Sequence, residues 1–383
     1  MVIGLSACNN GEQKAPVETA GHSQDCGVVL NNEGWLAFSD VADRLAAGQT
    51  VPTADLEAFA KFPLVTSWRL SQAPNVPRVV NLTNWLSGAW GDERSIKGKQ
   101  KLSGNRTNLV NSYRYSQAHA AQLNGMLAEL ATDERTCQLR QLAETWVAPE
   151  RVPSPWVLNF LPTLPEIRVF EGEFFVDTGV LQAGGIDQTM HQLVSLLYRK
   201  QEAIAGPNPA ELTGEVAIAE SFRIMMNEGI ASWIEQTLQV HFDENHWSLG
   251  RVNIVPEVFF TKTQETLSTL DAQLPALLND PQVMANRGED VVHFLVGRNA
   301  FAQTGLGMAT VIVAHLGEER LQEVHRSVPG FLAAYQEAAL LNSTPIPLPG
   351  KQGIQLYESV PPLSPEVFEG LYSVLTQHFP AQN

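Results

Sequence analysis

Positive charge is scarce in this 383-residue chain: 25 Lys and Arg stand against 41 Asp and Glu, a net charge of −16. An acidic surface of that size repels phosphate backbones, which argues against nucleic acid as a partner, and it offers no basic patch for anionic lipid. Long apolar runs are absent as well. No stretch in the sequence reaches the length at which an apolar helix spans a bilayer. Low-complexity composition is confined to roughly the first 25 residues, rich in Gly, Asn, Gln and Ser, and no internal repeat is visible. Cysteine is limited to three residues. What is there is 44% hydrophobic and 17% charged, ample for a buried core of one large helical unit or of two to three domains.

The three cysteines divide into one and two. Leu5-Ser6-Ala7-Cys8 follows the short apolar start MVIGL. It reads as the end of a bacterial lipoprotein signal, in which the Cys is lipidated and becomes the new N-terminus. A basic n-region is missing and the apolar run is short, as a trimmed start would leave them; the plain alternative is a chance buried Cys. The polar stretch NNGEQKAPVETAGHSQD then suits a tether between membrane and domain. Asn9 is not the Asp that marks retention at the inner membrane. The expected place is therefore the bacterial cell envelope: an outer-membrane lipoprotein facing the periplasm or the cell surface, touching membrane only through its lipid. Cys26 and Cys137 remain as an even pair. They form one disulfide closing a long loop, which export favours, or they are two small core residues.

Along the chain the pattern is mainly helical. After the signal remnant and tether, 1–26, an N-terminal helical region covers 27–146. GWLAFSDVADRLAAG has apolar residues at helical spacing and stops at Gly48, and Thr53-Ala-Asp55 opens LEAFAKF. SYRYSQAHAAQLNGMLAEL reads as one helix, and DERTCQLRQLAETWV as the next, capped by Thr132 or Asp133. Five prolines in 147–165 break helical continuity and mark a connection. Val169, Phe170, Phe174, Phe175 and Val176 surround Glu171-Gly172 and predict a small β hairpin. Gly184-Gly185 opens a helix over 186–205, and a second helix runs from about 214 to 240. The block 291–339 reads as two or three helices broken at Gly305, Gly307 and Gly317. The core is assigned to 147–340, and 341–383 is a Pro-rich segment with a terminal helix near 365–378.

The candidate chemistry sits at 182–236. A zinc peptidase places two ligands one helical turn apart, with a Glu beside the first to take a proton from the bound water. Asp187-Gln188-Thr-Met-His191 stands in that pattern, and an alternative register reads His191-Gln192-Leu-Val-Ser195. In either register the general-base position holds Gln, at 188 or at 192. An amide has no useful pKa near neutrality, and losing a general base costs about 10²–10⁴ in rate. In the first register Asp187, His191 and Glu228 offer one nitrogen and two carboxylates to a divalent ion. His191 on its own is otherwise a core histidine, and Glu228 a helix carboxylate in need of a partner.

The segment 166–339 resembles the gluzincin-like bacterial family of zinc-dependent peptidases, with a degenerate His-Glu-x-x-His motif. The pieces that carry the resemblance are the strands before the motif helix, His191, Asn227-Glu228-Gly229-Ile230-Ala231, and the later GLGMATVIVAHLGEERLQEV. The resemblance implies an α+β zinc-peptidase core with Glu228 as third ligand. It also implies a Tyr near the Gly-x-x-Met-Ala helix to stabilise the tetrahedral intermediate, where this chain has Phe301. With both the base and that hydroxyl missing, the favoured expectation is an inactive domain, without zinc, that binds a peptide or protein partner in the old cleft. Two alternatives stand beside it. One is an active zinc peptidase using Asp187, His191 and Glu228, with a base such as Glu220. The other is a structural envelope protein with no cleft function.

Overall fold

Short apolar runs that end at helix starts set the geometry of the first half. The computed structural model describes residues 26–90, 104–164, 166–207, 212–236, 256–298, 300–341, 345–350, 353–357 and 360–380. Strand β1 (Val28–Asn31) leads into α1 (Glu33–Ala46), α2 (Thr53–Ala60), α3 (Pro63–Leu70), α4 (Val79–Gly88), α5 (Gly104–Ala118), α6 (Ala120–Leu130) and α7 (Asp133–Trp146). Strands β2 (Trp156–Leu161), β3 (Ile167–Phe170) and β4 (Glu173–Asp177) follow. The sheet order is β1-β2-β4-β3, with β1, β2 and β4 parallel and β3 antiparallel to β4. Glu171 and Gly172 turn the β3–β4 hairpin at φ 51° and φ 86°, the left-handed backbone a two-residue hairpin requires.

Two expectations about this half are corrected. The stretch 147–165 is not only a connection: it carries β2, a central strand of the sheet. Buried on both faces, β2 shows no alternation, since even Asn159 is buried, and this hides it between prolines. The helix expected through SYRYSQAHAAQLNGMLAEL is two helices, α5 and α6, parted at His119. Thr132 caps α7, accepting from the Arg135 N–H at 3.4 Å. Cys26 and Cys137 are disulfide-bonded, with Cα atoms 5.2 Å apart and a sequence separation of 111. Cys8 lies outside the described residues.

Helices make up the second half: α8 (Thr178–Gln201), α9 (Gly214–Ile234), α10 (Pro256–Leu278), α11 (Pro281–Arg287), α12 (Glu289–Gly297), α13 (Phe301–Leu316), α14 (Glu318–Val324) and α15 (Val328–Leu340). The hairpin β5 (Ile346–Gly350) and β6 (Gly353–Tyr357) and helix α16 (Pro365–His378) complete the chain. Gly185 interrupts α8 at φ 79°, so its motif-bearing part starts at Ile186, as the Gly pair predicts. Helix α9 touches α8, α11, α12, α13, α15 and α16, and these neighbours bury it nearly all round, Glu220, Arg223 and Asn227 included. None of the described helices is long and apolar enough to cross a membrane.

Gly305 and Gly307 do not break α13; the break comes at Gly317. Both glycines sit mid-helix because neighbouring atoms leave no room for a side chain. A Cβ on Gly305 would lie 1.7 Å from the Met225 carbonyl oxygen, and one on Gly229 would lie 2.2 Å from the Gly305 carbonyl carbon. Helices α9 and α13 therefore meet backbone to backbone, and Asn227-Glu228-Gly229-Ile230-Ala231 faces the Gly-x-x-Met-Ala segment directly. A Cβ on Gly307 would press on the Thr263 side chain of α10 at 2.4 Å.

Candidate functional site

Helices α8 and α9 are antiparallel, and one polar stripe on α8 reads the end of α9 a turn at a time. Gln188 donates from Nε2 to the Glu235 carbonyl at 2.8 Å. One turn on, His191 donates from Nδ1 to the Ile234 carbonyl at 2.9 Å. Ser195 donates to the Ala231 carbonyl at 2.8 Å. The last carbonyls of a helix lack intrahelical partners, so Gln188 and His191 complete the C-terminus of α9, while the Ala231 carbonyl accepts both Ser195 and the Glu235 N–H. The periodicity that resembles a metal motif is the periodicity this contact needs, since residues three and four apart share a helix face.

His191 has a partner on each ring nitrogen. The Nδ1 proton goes to Ile234, so Nε2 is the acceptor, and it takes the Gln236 amide N–H at 2.9 Å. Burial lowers its pKa, against the pull of the Ile234 carbonyl and of the Asp187 and Glu318 charges, which favours the neutral ring.

Arg199 extends the stripe. Its Nη1 donates to Ser195 Oγ at 2.6 Å, its Nε lies 3.3 Å from Glu228 Oε2, and Nη1 lies 3.6 Å from Glu235 Oε2. The guanidinium thus sits between two glutamates seven residues apart on the same face of α9. Burial raises the pKa of Glu235, and Arg199 opposes that rise.

The structure does not assemble Asp187, His191 and Glu228 into a metal site. His191 meets α9 at Ile234, six residues beyond Glu228, which is about 9 Å along the helix axis. Glu228 is held by Arg199 instead. Asp187 points outward, its side chain 76% exposed, and pairs with Arg135 at 3.0 Å. Among the described residues no group of three or more His, Cys, Asp and Glu is placed to hold a metal ion. The positions proposed for a base fare alike. Gln188 is spent on Glu235, and Gln192 presents a buried carbonyl oxygen without a hydrogen-bond partner. Glu220 is buried in an ion pair with Arg223, whose other end holds the Ile204 carbonyl. Phe301 opens α13 and packs against the core.

Sequence reasoning missed Arg199, Glu235 and Gln236. Arg199 stands at the next turn of the same stripe, eight residues after His191, and that spacing was the available signal.

Residues 210–344 match the family described as "Putative zinc dependent peptidase (DUF5700)". The matched segment holds Glu228 and the α9–α13 glycine contact, and it begins after α8. Asp187, Gln188 and His191 therefore lie outside it. No curated protein and no solved structure matches the chain. The family is described as zinc-dependent, but the described residues at the α8–α9 seam do not fit a zinc ion. The one imidazole there is capped on both nitrogens, and the candidate carboxylates face two different arginines.

Proposed function

We propose that this chain is a non-hydrolysing relative of zinc-dependent peptidases, held at the bacterial cell envelope by a lipid on Cys8, that binds a peptide or protein partner. The observation that carries the reading is the stripe Gln188–His191–Ser195–Arg199. Gln188, His191 and Glu228 are already engaged in joining α8 to α9, Asp187 is paired with Arg135, and the amide at 188 cannot take a proton from water. The family match supplies the peptidase ancestry, and the acidic surface favours a partner that is neutral or cationic. Strand β3 offers such a partner a place. It is the edge of the sheet, packs against α8, and pairs on one side only among the described strands.

Two measurements test this proposal. Purified protein supplied with zinc is incubated with unstructured polypeptide, with and without a chelator. The expected result is no chelator-sensitive cleavage above that of a Gln188→Ala variant. Cleavage that the chelator abolishes would reinstate an active enzyme with Asp187, His191 and Glu228 as ligands. Separately, Cys8→Ser is expected to move the protein from the membrane to the soluble fraction, and unchanged partitioning would refute the anchor.

A further inference from the structure

A second polar centre lies at the N-terminal end of the helix that carries the stripe. Asp177 ends β4 and caps α8, and it is 0% exposed. Its Oδ1 accepts the Val180 N–H at 3.1 Å, while Oδ2 accepts the Thr163 N–H at 2.6 Å and the Ser112 hydroxyl at 2.8 Å. One carboxyl group thus joins three segments: α5 through Ser112, the β2–β3 loop through Thr163, and the first turn of α8. Beside it Ser116 of α5 and Thr178 of α8 share a hydrogen bond at 2.6 Å, both fully buried.

Among the described residues no cation pairs with Asp177. Buried carboxylates are ordinarily paired with one. Helix α5 presents the buried Tyr113 phenol, the titratable group whose own pKa the Asp177 charge helps to raise. Glu166 before β3 and Arg168 within it are turned to each other, to Gln72 and to the Ser71 carbonyl. Neither β2 nor the residues of α8 from Thr178 to Gln182 carry a charged side chain. Asp177 is shut off from solvent, so among the described residues the ionised form rests on backbone and hydroxyl dipoles. Ser112 is the partner that can reverse: a hydroxyl donates to a carboxylate and accepts from a carboxylic acid at the same separation. A proton on Oδ2 would therefore keep the hydrogen bond to Ser112 with its direction reversed.

We propose that Asp177 is a buried proton-binding site that couples the docking of α5 on α8 to pH. Burial, opposed by the Thr163, Ser112 and Val180 donors, pushes the carboxyl up to about 7 from the ordinary 3.8. Between those values the folded chain holds a proton that the unfolded chain has released. Stability is therefore greatest at the acid side of the window and falls as pH rises toward neutrality. His191 and His325, whose pKa values burial lowers, tilt the opposite way.

The test compares wild type with Asp177→Asn, which keeps an N-cap acceptor and carries no charge. Unfolding equilibria are measured by chemical denaturation at about pH 5 and about pH 8. The histidine contribution is common to both proteins and cancels in the comparison. The wild-type folded-to-unfolded ratio is expected to fall by at least about tenfold more than that of the variant over this range. Equal slopes, or a wild-type ratio that rises relative to the variant, would overturn the proposal and leave Asp177 a permanently ionised cap. Should Asn not fold, Asp177→Ser is a second neutral cap with the same expected slope. Amide exchange in the wild type reads the joint without any substitution. Protection in α5 and the first turns of α8 is expected to drop across this window relative to α13, and a uniform change would count against the coupling.

Discussion

His191 is the residue on which a reading by motif and a reading by contact diverge most. From sequence it is a ligand with a neighbouring amide where a base belongs; in the fold it is a neutral donor to the end of α9. Removing it leaves the Ile234 carbonyl and the Gln236 amide without their partner. His191→Ala is expected to destabilise the chain by about 1–3 kcal/mol, the range for stranding buried polar groups, as read by urea denaturation. A change within error would show that the contact contributes nothing. The pH dependence has a defined sign. Burial holds the folded-state pKa of His191 below the ordinary 6.5, so the folded chain binds fewer protons than the unfolded chain just below that value. The contribution is fully present above about pH 6.5 and is lost as pH falls through the lowered pKa. In His191→Ala that part of the acid sensitivity is expected to disappear. An unchanged acid limb would place the sensitivity elsewhere, His325 being the next buried imidazole.

At the scale of elements, the glycine phrases have a structural reason that composition does not reveal. Gly229 and Gly305 are where α9 and α13 touch, and neither backbone can retreat past the helices behind it. Gly229→Ala or Gly305→Ala is expected to cost about 3 kcal/mol or more by overpacking. Gly125→Ala, in α6 with nothing near its added methyl, is expected to stabilise by about 0.4–1 kcal/mol. Similar costs at all three positions would mean that the close approach is not what these residues serve. Long amphipathic elements were legible from the sequence: α1, the Thr132 cap of α7, the start at Ile186, the β3–β4 hairpin and α16 all lie where periodicity, caps and turn residues put them. Strands β1 and β2 were not. A four- to six-residue strand in a parallel sheet has no alternation to betray it, and β1 pairs with β2 more than a hundred positions away. The glycines of α13 were misjudged for a related reason, since a backbone contact with a distant helix leaves no local mark.

For the whole molecule, the sheet, α8, α9 and the later helices share one apolar core, with a disulfide holding β1 to α7. Glu202 shows how the parts are joined. Its side chain, 1% exposed at the end of α8, accepts the Ala148 N–H at 2.8 Å and pairs with Arg326 at 2.9 Å. That ties the connection after α7 to the turn between α14 and α15. The candidate site was legible in part: the sequence identified α8 and α9 as the facing pair. It could not show their register, because the sequence spacing of two helices does not specify which turn of one faces which turn of the other. That register places His191 opposite Ile234 and Glu228 opposite Arg199, and the function proposed for the chain depends on it. Metal content tests it most directly. Mass spectrometry of protein purified without chelators, then equilibrated with zinc and desalted, is expected to find far less than one zinc per chain, unchanged in His191→Ala. One zinc per chain, lost on His191→Ala or Glu228→Ala, would contradict the account.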